Sequence, residues 1–158
     1  MKRSVCAFNI SRQSFINLGV TIADTPLARL RGLLGKMRMR SDEALWVVPS
    51  HGIHTIGLMF PIDVIYLDAH FRVVDIIESL GPLRIAPIRL HCASVLQLPA
   101  RSISGSGTRI GDQLLICSQE AMDQYWAKQR QKQQTGEPKP EHKDGRTGSP
   151  PPALRIVV

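Results

Sequence analysis

Aromatic side chains are scarce, with two Trp, two Tyr and four Phe in 158 residues. The core must therefore be built from Ile, Leu and Val, and no row of rings is available on which successive nucleic-acid bases could stack. Long apolar runs are missing too. None reaches the roughly 18 residues that a membrane-spanning helix needs, and residues 1–20 begin with charge but have no continuous apolar region behind it. A cytoplasmic location is the expectation. Cysteine occurs three times, at Cys6, Cys92 and Cys117. An odd number without CxxC spacing argues against a disulfide framework and reads as buried thiols. No GxSxG nucleophile elbow is present, and the SGSG run does not precede a convincing helix, so it lacks the context of a phosphate-binding loop.

The formal charge of +7 is unevenly spread. Residues 1–126 hold thirteen basic against ten acidic side chains, and residues 127–158 hold seven against three. A folded part so nearly balanced speaks against a dedicated nucleic-acid surface there. The basic C-terminal stretch leaves weak nucleic-acid or anionic-surface binding open as a separate reading. Arg29, Arg31, Lys36, Arg38 and Arg40 form a second basic group, balanced by Asp42 and Glu43, and read as a solvated helix and loop.

Extended segments are expected at Ser4–Asn9 and 15–22, with a polar turn between them. Asp24 or Thr25 before Pro26 marks a helix start, and Leu27, Leu30 and Leu34 follow at helical spacing. A buried strand is expected at 44–48, ended by Pro49. The stretch 51–68, HGIHTIGLMFPIDVIYLD, is unusual because His54, Thr55, Asp63 and Asp68 interrupt an otherwise apolar run and require hydrogen-bond partners. Pro61 divides it into a looping part and a strand, Ile62–Leu67, which pairs with 71–77 through a short turn. Residues 81–87 form a loop. Strands at 95–98 and 113–117 are joined by the Ser/Gly-rich segment 102–107 and a turn at Gly111 and Asp112. Ser118 caps a last helix through Trp126, and 127–158, rich in Lys, Gln and Pro, is expected to be a disordered tail.

Several of these segments together resemble the DUF192 family. ADTPLARLRGLLGK is similar to the family's opening helix, with its Arg-Gly-Leu signature at Arg31, Gly32 and Leu33. ALWVVPSHGIHTIGLMFPIDVIYLD resembles the subgroup with an Ile-His-Thr element followed by Pro-x-Asp, and VLQLPA with RIGDQL resembles the closing strand pair and its Gly-Asp turn. The resemblance covers about 22–116. It implies an α+β, mainly β fold, a compact small barrel-like or sandwich-like antiparallel sheet with one or two short helices in a single domain over 1–126. It supplies no reaction. Where many relatives have a cysteine before Ile-His-Thr this chain has Ser50 or His51, and where they read Leu-Glu-Leu-Pro-Ala-Gly it has Gln97 and Arg101. The first departure argues against a thiol-based activity at that place, the second rules out a general acid at Gln97, and the closing turn is expected to be built differently.

His54 with Asp63 is the leading candidate site, because an imidazole held by a carboxylate can act as general base or grip a polar ligand. The bland reading, in which His54 and Thr55 bond nearby backbone and Asp63 closes the loop before its strand, is preferred. Arg31 could complete the cluster through its fork of donors. His51 and His54, with His91 and Cys92, form a metal set by composition only, since residues three apart on an extended segment point to opposite faces. Ser50, His54 and Asp63 make an imaginable triad without a supporting motif. The expected function is a non-catalytic module that binds a partner protein or small polar ligand around Arg31, His54, Thr55 and Asp63, with no cofactor. The competing expectation is a hydrolase-like or metal-assisted enzyme using His54 and Asp63.

Overall fold

The computed structural model describes residues 4–25, 33 and 35–134. Two units divide the chain, Met1–Ile116 and Cys117–Val158. The elements of the first are Ser4–Asn9 (β1), Ser14–Ala23 (β2), Ala44–Val47 (β3), Ile62–Leu67 (β4), Val73–Leu80 (β5), Ser94–Pro99 (β6), the one-turn helix Ser102–Ser106 (α1) and Leu114–Cys117 (β7), whose last residue begins the second unit. One seven-stranded sheet runs in the order β5-β4-β6-β3-β2-β1-β7. Its two outermost strands meet at one corner: Leu114 N–H donates to Phe71 O at 2.9 Å, Val73 N–H to Asp112 O at 2.9 Å and Gly111 N–H to Val73 O at 2.7 Å. The sheet is thus curled toward a barrel, as the mainly β expectation requires.

β1 and β2 form the opening hairpin, and β4 pairs antiparallel with both β5 and β6. β2 and β3 run parallel, with Val20 opposite Ala44 and Ala23 opposite Val47, a departure from the all-antiparallel expectation. A parallel pair needs a long crossover, which residues 24–43 supply. Its return passes so close to β2 that a Cβ on Gly19 would lie 2.0 Å from Asp42 O, so only glycine fits there. The expected helix over 26–34, and Arg29 and Arg31 with it, falls outside the described residues. Leu33 is described and is buried.

Every residue of β4 is buried. Period-two alternation divides them between two cores. Ile65 and Leu67 pack with Ala7, Ile16, Val20, Trp46, Ile103 and Leu114. Ile62, Val64 and Tyr66 pack on the opposite face with Leu58, Phe60, Ala86 and Cys92. A strand covered on both faces reads as a nearly continuous apolar run, which is why IDVIYL shows no hydrophobic-polar alternation. Each fully buried Ile, Leu or Val contributes about 1.5–3 kcal/mol relative to exposure.

Three local outcomes depart from expectation. β5 starts at Val73 because Phe71 adopts φ 60 and closes the turn, where Asp68 Oδ1 accepts the N–H groups of His70 and Arg72 at 2.8 and 2.9 Å. The segment 102–107 contains helix α1, with Arg101 at φ 73 before it and Gly107 at φ 68 after it. Arg101 thus takes the left-handed conformation natural to glycine, so the closing turn keeps a glycine-type backbone although the glycine is gone.

In the second unit, Gln119–Gln134 (α2) is helical, and Ala121 N–H donates to Ser118 Oγ at 3.3 Å, the expected cap. The helix runs eight residues past the expected end at Trp126, so residues 127–134 are helical where a disordered tail is expected, and residues 135–158, the rest of that tail, lie outside the described residues. No described helix is long and apolar enough to cross a membrane. Cys6, Cys92 and Cys117 are all buried, and none forms a disulfide.

Candidate functional site

Pro61 ends the looping part of the unusual stretch, and the loop of residues 51–60 lies over the β4 face that carries Ile62, Val64 and Tyr66, with Leu58 and Phe60 buried against them. A second loop, residues 81–92, is tied to it by main-chain bonds. Ala86 N–H donates to Ile53 O at 2.9 Å, Arg89 N–H to His51 O at 2.8 Å and Leu83 N–H to Thr55 O at 3.1 Å, and His54 forms an antiparallel bridge with Ile85.

Thr55 is the hub of this clamp. Fully buried, it donates its N–H to Arg84 O at 2.7 Å and its hydroxyl to Gly81 O at 2.7 Å, while Oγ1 accepts Arg84 N–H at 2.9 Å. Its polarity is therefore spent on joining two loops. His54 beside it is exposed.

Asp63 behaves differently from its sequence neighbours. It follows Ile62 and precedes Val64, so alternation points it to the face of Ile65 and Leu67, away from the His54 loop. Fully buried, it accepts Ser79 N–H through Oδ1 and Ile103 N–H through Oδ2, each at 2.9 Å. Ser79 sits at φ 52, beside an irregularity in the β4–β5 pairing, and Ile103 lies in the first turn of α1. The carboxylate joins a strand edge to a short helix. His54 and Asp63 are thus not brought together, and Arg31 lies outside the described residues.

The metal and triad sets fare similarly. The His51 ring shares a hydrogen bond with Cys92 O through Nδ1, which a carbonyl permits only if Nδ1 carries the proton. Cys92 Sγ lies 3.0 Å from Ser94 O and 3.3 Å from Ser50 O. Burial raises its thiol pKa despite main-chain hydrogen bonds at Leu67 and Ser94 that act the other way. Ser50 Oγ donates to Gly52 O at 2.7 Å within its own turn. Among the described residues no three His, Cys, Asp or Glu side chains are grouped to hold a metal ion.

Two features escaped the sequence reading. Arg89 pairs with Asp75 at 2.5 Å and lies 5.8 Å from the Tyr66 ring centre, while Tyr66 OH donates to Pro87 O at 2.9 Å. Burial raises the Tyr66 phenol pKa, Asp75 and Cys92 add to the rise, and the Arg89 charge opposes it. More conspicuous is an aliphatic surface. Ile56, Met59, Leu83, Ile85, Ile88 and Leu90 are all exposed, Ile85 at 78% and Leu90 at 86%, and all six project from the two clamped loops. The signal was present in LRIAPIRL, where Pro87 argues against a central strand while large apolar residues keep recurring.

A separate polar network holds the Gly-Asp turn. Asp112 Oδ2 accepts from Asn9 Nδ2 at 2.9 Å, Arg12 Nε at 3.1 Å and Arg109 N–H at 2.9 Å. Burial pushes this carboxyl pKa up, but those donors and the Arg12 charge outweigh it and hold it below its ordinary value. A folded-state pKa below the unfolded one gives stability that is full above the unfolded value, about 3.9, and is lost as pH falls through the folded value. The expected result is a wild-type unfolding midpoint that drops as pH falls below the unfolded-state value, with Asp112→Asn starting lower and following a flatter acid limb. Equal slopes in urea titrations across that range would remove Asp112 as the source.

Curled sheet, clamped loops and a buried structural carboxylate define a small mainly β domain that carries an exposed aliphatic surface. The chain belongs to the DUF192 family, described as "Uncharacterized ACR", which it matches over residues 8–116. That match begins earlier than the motifs from Ile22 onward and takes in the end of β1 and the whole of β2. Among solved structures it is similar to a protein of unknown function from Novosphingobium aromaticivorans, with 18% identity, 72% of this chain and 84% of that one covered, and a TM-score of 0.58. A putative transcription regulator from Sinorhizobium meliloti is also similar, with 22% identity, 73% and 94% covered, and a TM-score of 0.58. Both likenesses concern the fold. No curated protein matches the chain.

Proposed function

We propose that this protein is a non-catalytic binding module whose working surface is the aliphatic face of loops 51–60 and 81–92. The observation that carries this reading is the six exposed apolar side chains held on a hydrogen-bonded frame. Large apolar residues exposed singly are ordinary, whereas six on two adjoining loops form the kind of patch that marks interaction sites. Preorganisation lowers the ordering cost of binding, and the Thr55 clamp supplies it. The partner face is thus apolar, and His54 is a rim residue in place of the centre of a polar cluster. The competing enzyme reading needs His54 and Asp63 to share a ligand, and their opposite faces weigh against it. Three reduced, buried thiols are consistent with a cytoplasmic site of action.

Carbene footprinting tests the reading. In a cell lysate with its membranes retained, labelling of the six side chains is expected to fall at least about threefold relative to the purified protein, while Phe15 and Leu18, exposed on β2, keep theirs. Unchanged labelling of all eight would overturn the proposal.

A further inference from the structure

Resting on the reading that the aliphatic face is where this molecule binds, we infer that its occupant is the surface of an anionic lipid bilayer. The first argument is shape. The side chains project from their loops, from 52% exposure at Ile56 to 86% at Leu90. A fluid hydrocarbon phase receives projecting chains of any arrangement, whereas a protein partner must supply a fitted socket for each one. The six are Ile, Leu and Met, without the Trp and Tyr that usually anchor protein interfaces.

The second argument is charge. Residues 49–61 and 81–93 contain two Arg and three His but no Asp or Glu. Arg89 is already paired with Asp75, the carboxylate that reaches this rim from β5. Arg84, between Leu83 and Ile85, is exposed and forms no ion pair among the described residues. A guanidinium beside inserting aliphatic chains, with no carboxylate on either loop, matches an apolar layer with phosphate at its edge. A second copy of this chain fits less well, because a two-fold contact through this face would set like charges opposite one another.

The third argument concerns the backbone. The N–H groups of Leu83, Arg84, Ala86 and Arg89 are all bonded inside the clamp, so these donors need no water when the loops enter the bilayer edge.

Cosedimentation of the full chain with vesicles provides the test. Vesicles of phosphatidylcholine with about a third phosphatidylglycerol are expected to bind the protein at least about fivefold more tightly than phosphatidylcholine alone. Ile88→Asp combined with Leu90→Asp is expected to reduce partitioning at least about tenfold, while Ile88→Leu with Leu90→Ile retains it. Both positions are exposed, and unchanged circular dichroism melts will confirm that the variants fold. Failure of the wild type to sediment with either vesicle would overturn the inference, as would undiminished binding of the double Asp variant, which would assign adsorption to the basic stretch 127–158. If vesicle binding fails while the six side chains remain protected in lysate, the bilayer inference falls and the binding-module reading stands. If both fail, both readings fall.

Discussion

Asp63→Ala is expected to lower the unfolding free energy by about 3–4 kcal/mol, because the buried Ile103 N–H and the part-buried Ser79 N–H lose their acceptor together. Ser79 and Ile103 each donate to one carboxylate oxygen at 2.9 Å, and Asp63 itself is fully buried. An unsatisfied buried donor costs about 1–3 kcal/mol, and losing a charged acceptor lies at the upper end of that range. Set against a typical domain stability of about 5–15 kcal/mol, the loss is large enough that the variant unfolds partly at moderate temperature. Asp63→Asn keeps one acceptor and turns an amide N–H toward the other donor, so about 2–4 kcal/mol is expected. Urea denaturation of both variants measures this. A carboxylate serving catalysis would give a different pattern, with stability near that of the wild type. Losses below about 1 kcal/mol in both variants would sink the structural role assigned to Asp63.

Asp63 also shows where sequence reading succeeds and where it stops. The run Ile62–Leu67 was legible because a short apolar segment after proline, rich in β-branched residues, has few alternatives to a buried strand. The same period of two already set Asp63 with Ile65 and Leu67 and apart from Val64 and Tyr66. What alternation could not supply was which face the preceding loop covers, since that depends on chain reversal at Pro61 and on contacts with residues 81–92. Neighbours in sequence therefore looked like neighbours in space, and His54 was joined to Asp63. Thr55 was legible as a polar group needing partners, and its partners proved to be the main chain of a loop about thirty positions away.

Helix α1 failed to register for another reason. SISGS has poor helix propensity, and five residues are too few to form a helix alone. It exists because tertiary groups satisfy its ends: Asp63 accepts the Ile103 N–H, Ser102 Oγ donates to Pro99 O at 2.6 Å, and Gly107 takes the left-handed conformation at the exit. The exposed aliphatic face was invisible for the opposite reason. Residues 81–87 read correctly as a loop, but the apolar residues within and just beyond it were credited to no surface, because pattern analysis assigns hydrophobic residues to a core by default.

Thr55→Val replaces a buried hydroxyl by a methyl of similar size and so isolates the clamp from packing. The substitution removes the hydrogen bond to Gly81 O and the acceptor for Arg84 N–H, while leaving the bonds of the Thr55 main chain in place. The expected loss is about 2–3 kcal/mol. Its second expected effect is local. Amide hydrogen exchange at Leu83, Arg84, Ala86 and Arg89, whose donors are bonded within the clamp, should quicken by about 30- to 100-fold, each factor of ten corresponding to about 1.4 kcal/mol. Thr55→Ser keeps the hydroxyl and should restore slow exchange. Because no Thr55 atom lies on the aliphatic face, a fall in partner or vesicle binding by Thr55→Val, rescued by Thr55→Ser, would show the face working through its rigidity. Exchange rates unchanged in the Val variant would mean that Leu58, Phe60 and Ala86 hold the loops by packing alone, and that the hydrogen-bonded frame is not what orders the surface.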